Sequence, residues 1–109
     1  MDMATLIGNL VAIINGLRNN SGDPAIQQKL GALLSEVLFP LWDAALNQRL
    51  TQTDPLYVAA TAQLTTATKA AQAAQTDLSQ TAAAITAAVT AAKAVDQVVG
   101  VVLPVLALM

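Results

Sequence analysis

The sequence predicts an all-α fold: a helical hairpin or bundle built on one long, Ala-rich, coiled-coil-like C-terminal helix, elongated and oligomeric. Three observations carry this expectation. Between Pro55 and Gly100 there is no Gly and no other Pro, and Ala dominates the stretch. Apolar residues recur there with alternating spacings of three and four. Two Asp-Pro pairs, Asp23-Pro24 and Asp54-Pro55, each have the chemistry of a helix start. The Asp side chain accepts a bond from an orphaned backbone N–H, and Pro at the first helical position loses nothing by lacking its own.

A single domain over 1–109 follows from the length, with helices expected at about 3–18, 24–51 and 55–103. In the first, Leu6, Ile7, Leu10, Val11, Ile13, Ile14 and Leu17 form a wide apolar stripe. Gly8, Ala12 and Gly16 stand four apart, a ridge of small residues over which another chain segment can come close. This apolar start does not read as a signal peptide, because Asp2 occupies the region that should be basic. In the second helix Ile26, Leu30, Leu33, Leu34, Val37, Leu38 and Leu41 repeat at three and four. Pro40 removes one ladder bond and crowds the carbonyl of Glu36, so a kink or a restart is expected there.

Written as heptads, the third helix has one core position at Tyr57, Leu64, Ala71, Leu78, Ile85, Ala92 and Val99. The other falls at Ala60, Ala67, Ala74, Thr81, Ala88, Val95 and Val102. Both lysines of the stretch, Lys69 and Lys93, fall off this seam. The spacing favours one continuous helix. A break near Thr76-Asp77-Leu78-Ser79, with Asp77 or Ser79 capping a fourth helix, gives a plain four-helix bundle instead.

The choice decides the shape. A continuous helix of about 45 residues is roughly 68 Å long at its rise per residue. A compact chain of this size has a radius of gyration near about 13 Å. With the second helix antiparallel on the first part of such a rod, and the first helix laid over that end, nothing covers the final third. That third is strongly apolar, and uncovered apolar surface of this extent calls for a partner. The expected seam with a second copy comprises Leu64, Ala71, Leu78, Ile85, Ala88, Ala92, Val95, Val99 and Val102. The tail residues Val98, Val101, Leu103, Val105, Leu106 and Leu108 are the candidate surface for a membrane or a protein partner. From Val98 to Met109 no side chain is charged or polar, yet the run is short of the roughly 20 residues that span a bilayer. Extending it backwards brings in Lys93 and Asp96, three apart and able to pair.

Composition excludes much chemistry. Of 109 residues, 55% are apolar and 11% charged, with no Cys, no His and one each of Trp, Tyr and Phe. Imidazole and thiolate metal sites, His acid–base catalysis, Cys nucleophiles and disulfides are all ruled out. A net charge of −2 with five basic residues argues against nucleic acid. Glu36 and Asp43, seven apart across Pro40, are the one carboxylate pair worth naming, and two solvated acids are the simpler account. Trp42 and Tyr57 flank the second Asp-Pro turn and suit a core contact better than a ligand cage. No cofactor is expected. The expected function is non-enzymatic self-assembly, scaffolding or protein interaction through the apolar C-terminal helix, in a soluble or peripherally membrane-associated chain. The alternative is a membrane-active, pore-forming or holin-like helical protein stored as a soluble oligomer.

Overall fold

Three aspartates start three helices, and each does so through its carboxylate. Asp2 Oδ1 accepts the Thr5 N–H at 2.8 Å, Asp23 Oδ1 the Ala25 N–H at 2.9 Å, and Asp54 Oδ1 the Leu56 N–H at 2.8 Å. In this computed structural model, which describes residues 2–48 and 50–100, the elements are α1 (Met3–Asn20), α2 (Pro24–Ala32), π-helical turns (Leu33–Leu38), α3 (Phe39–Asn47), α4 (Pro55–Thr76), a 3₁₀ turn (Leu78–Gln80) and α5 (Thr81–Val99). The described residues are all-helical, with no strand. α2, the π turns and α3 run on as one rod, so the elements make four rods in a compact globule.

The long C-terminal helix expected over 55–103 is two helices. Asp77 ends the first, its N–H donating to the Ala73 carbonyl at 3.0 Å. Its carboxylate starts the next, accepting the Ser79 N–H at 3.1 Å and the Ser79 hydroxyl at 2.6 Å. A short acidic side chain that serves the backbone outside a helix competes directly with helix continuation. Here it wins against the surrounding Ala propensity, and the chain reverses. The elongated shape is therefore corrected: the radius of gyration is 13.0 Å and the longest extent 40 Å.

Most of the expected seam positions are buried on either side of the reversal, with Leu78 exposed and Ile85 half-buried as exceptions and Ala84, Val89 and Ala91 buried beside them. Tyr57, Ala60, Leu64, Ala67, Ala71 and Ala74 are buried on α4, and Thr81, Ala88, Ala92, Val95 and Val99 on α5. Alanine at nearly every contact lets the two axes approach closely, since Ala projects almost no knob.

The layering also differs from expectation. α4 packs mainly on α5 and α1, while α2–α3 packs on α1 and α5. Tyr57 meets Met3 at one end and Gln75 approaches Gly16 at the other, so α1 and α4 run parallel. Gly31 lies by Arg18 and Trp42 by Gly8, so α2–α3 runs back along α1. The segment after α3 thus crosses the end of the bundle to reach α4. Of the final third expected to be uncovered, the described residues Val89, Val95 and Val99 are buried against α4 and the α2–α3 rod, while Val101 to Met109 lie outside the described residues.

Pro40 leaves a trace but no break. Just before it the helix widens, and the Phe39 N–H donates to the Leu34 carbonyl, five residues back. Widening the ladder makes room for a ring that cannot donate and would clash with a carbonyl one turn earlier. α3 ends at Asn47, short of the expected Thr51. Gln48 is extended, and its Nε2 donates to the Val99 carbonyl at 2.8 Å. That bond gives a carbonyl of the last turn of α5 a side-chain donor, as helix ends call for.

Candidate interaction surface at one end of the bundle

The ends of four helices meet on one side of the molecule: the N-termini of α1 and α4 and the C-termini of α3 and α5. Gln48 links α3 to α5 there, and Tyr57 links α4 to α1, its Oη accepting the buried Met3 N–H at 2.9 Å. A small recess between them is lined by Asp2, Met3, Ala45, Gln48, Gln52 and Tyr57. Beside it, a shallower one is lined by Ala4, Gly8, Asn9, Trp42 and Leu46.

Large apolar side chains remain exposed around this end. Leu46 is 64% exposed, Val58 53% and Leu56 48%. Trp42 is half-buried one turn before Leu46, and Phe39, exposed, lies one turn further back on the same outer stripe of α3. α5 delivers the chain to the same end. Gly100 closes α5 in the left-handed conformation at φ 71°, its N–H donating to the Asp96 carbonyl at 2.8 Å. The opposite end, made by Asn19, Asn20, Ser21, Asp23 and the Asp77–Gln80 turn, is polar apart from Leu78.

The expected seam with a second copy is occupied from within. Leu64, Ala71, Ala88, Ala92 and Val95 are at most 1% exposed and Val99 is 6% exposed, all packed inside the single chain. They are not free to face another copy while the bundle is intact. Ile85 is half-buried and lines a groove, and Leu78 falls in the reversal and is 51% exposed. Val98 is half-buried. Val102, Val101, Leu103, Val105, Leu106 and Leu108 lie outside the described residues.

The polar candidates are scattered. Glu36 and Asp43 are both exposed, and Asp43 Oδ1 accepts an amide N–H from Asn47 at 3.1 Å. Trp42 and Tyr57 each address the first turns of α1, one over Gly8 and one at Met3. Asp96 does not pair with Lys93: its Oδ1 is buried without a hydrogen-bond partner, and burial pushes the carboxyl above its ordinary pKa. Among the described residues, no group of three or more acidic side chains is placed to hold a metal ion.

Sequence reasoning missed the bundle end as a site because its parts come from four separate segments. Leu46 reads as part of the apolar face continuing after Pro40, whereas Leu56 and Val58, off the heptad positions of the next helix, are the available signal. Comparison of the chain with family models, with curated proteins and with solved structures gives no match.

Proposed function

We propose that this chain is a non-enzymatic interaction module that self-associates through the apolar end of its bundle. The carrying observation is the exposure of Leu46, Leu56 and Val58 at the end where α5 releases the chain. The nine residues that follow Gly100 are without exception apolar or Pro. Exposed Leu46, Leu56 and Val58 stand there among polar side chains such as Asp2, Gln48 and Gln52, and large exposed apolar groups clustered at one end favour association through it. This replaces the buried seam as the association surface. Light scattering across micromolar concentrations tests the proposal. An oligomer that dissociates in Leu46→Glu/Leu56→Glu, with helicity retained, supports it. A wild-type monomer throughout the range overturns it.

One observation favours a second reading, membrane activity from a soluble stored oligomer. The segment Leu78–Val99 has 22 residues and a mean hydropathy of 1.3, long and apolar enough to cross a bilayer. Its Val89, Val95 and Val99 are turned into the bundle, whereas Leu78 is exposed and Ile85 half-buried, so full insertion requires α5 to leave α4. Release of a dye trapped in liposomes supports this reading. Unchanged dye and no flotation with vesicles remove it.

A further inference from the structure

A second surface lies on the flank of the bundle, away from the apolar end. α5 rests on the π turns and α3, and its first turns stand off from α2, leaving a groove of about 650 Å³. The size falls in the range of small-molecule sites, and such sites combine an apolar lining with a few placed polar groups. Ile26 from α2 and Ile85 and Val89 from α5 supply the apolar floor. From Ala82 to Lys93 it follows α5 for about 16 Å at the helical rise.

The groove's polar groups are unequal. Thr86 and Thr90 also line it, but their hydroxyls donate one turn back, to the Ala82 carbonyl at 3.1 Å and the Thr86 carbonyl at 3.0 Å. They therefore offer methyl groups and no free O–H donor. The remaining donors are the ammonium groups of Lys29 and Lys93, both exposed. No carboxylate lines the groove, and among the described residues neither lysine has an ion pair. In a chain whose net charge is −2, two unpaired cations beside an apolar trough are a local reversal of sign.

We propose that this groove binds a single-chain amphiphile with an anionic headgroup, of the fatty-acid class. The hydrocarbon chain covers Ile26, Ile85 and Val89, and it needs no hydrogen-bond partners along a wall whose hydroxyl donors are already engaged. The carboxylate takes a charge-assisted hydrogen bond from Lys29 or Lys93. An uncharged amphiphile gains the apolar contact without that bond.

The test titrates the full chain with laurate below its micellar range, following side-chain methyl resonances. Saturable shifts at Ile26, Ile85 and Val89 are expected, with at least tenfold weaker binding of dodecyl maltoside. Lys29→Gln/Lys93→Gln should weaken laurate at least tenfold while leaving helicity unchanged, since both side chains are exposed. Four results overturn the proposal: no saturable shift with laurate, shifts confined to Leu46 and Leu56, equal affinity for both amphiphiles, or unchanged affinity in the double variant. Occupation of the groove by a second copy would appear as concentration-dependent shifts at the same methyls without ligand, and overturns it too.

Discussion

The indole of Trp42 fills the space in front of Gly8: a Cβ on that glycine would stand 2.9 Å from Trp42 Cζ2 and 3.3 Å from Cε2. Gly8→Ala gains about 1 kcal/mol of helix propensity. It also forces a half-buried aromatic ring aside, and overpacking of this kind costs about 1–3 kcal/mol. A net loss of about 1 kcal/mol is expected by urea denaturation. Gly16→Ala is the internal control, since its Cβ would meet Gln75 Nε2 at an ordinary 3.5 Å. That variant should gain up to about 1 kcal/mol. The same sign for both variants would mean that the α1–α3 contact is looser than this geometry.

Tyr57 Oη is the acceptor for the Met3 N–H, in a setting where Met3 is 1% exposed. Tyr57→Phe keeps the ring and leaves that donor buried without a partner, at a cost of about 1–3 kcal/mol. Amide exchange at Met3 should rise well beyond that of mid-helix residues. Unchanged exchange and an unchanged urea midpoint would show that another acceptor takes over.

The α4–α5 contact depends on small side chains. Ala88 is fully buried in it, whereas Ala62 is exposed on α4. Ala88→Leu should destabilise by about 1–3 kcal/mol through overpacking. Ala62→Leu should stay within about 0.5 kcal/mol of wild type. Thermal melts followed by circular dichroism separate the two. If Ala88→Leu instead stabilises the chain, the two axes are further apart than an alanine seam allows.

These variants also mark what the residues themselves disclosed. Ala60, Ala67, Ala88 and Val95 were legible as core because burial imposes a period, and a period survives in sequence whichever partner provides the burial. What it cannot specify is the identity of that partner. A stripe that folds back on itself at Asp77 has the same heptads as one that meets a second copy. The deciding feature is the local contest at Asp77-Leu78-Ser79, where two hydrogen bonds donated by Ser79 to one carboxylate outweigh the Ala propensity around them. The flank groove was invisible for another reason. It is lined by residues of α2 and α5, which are far apart in sequence, and Lys29 and Lys93 each read as ordinary outer positions on their own helices.

Asp96 gives stability a dependence on pH above the ordinary carboxylate range. One oxygen is buried without a partner, and burial raises its folded-state pKa above the ordinary 3.8. The native state therefore holds this proton more tightly than the unfolded chain does. Stability should rise as pH falls through the raised pKa, then level off below the unfolded value. Two other aspartates act in the opposite sense. The Thr5 N–H and hydroxyl hold Asp2 below its ordinary value, and the Ser79 hydroxyl and N–H do the same for Asp77. Their contribution is present above the unfolded pKa and is lost as pH falls through their lowered values. The melting temperature should thus climb modestly as pH falls through the raised pKa of Asp96 towards its unfolded value, and fall in stronger acid. Asp96→Asn removes the first effect alone. It also removes a negative charge from the last turn of α5, where the helix dipole disfavours it by about 0.3–1 kcal/mol. At pH 7 the variant should melt above wild type, and the gap should close as wild-type Asp96 becomes protonated. A gap that is constant across this range would mean that Asp96 is fully hydrated in solution, with both oxygens facing water.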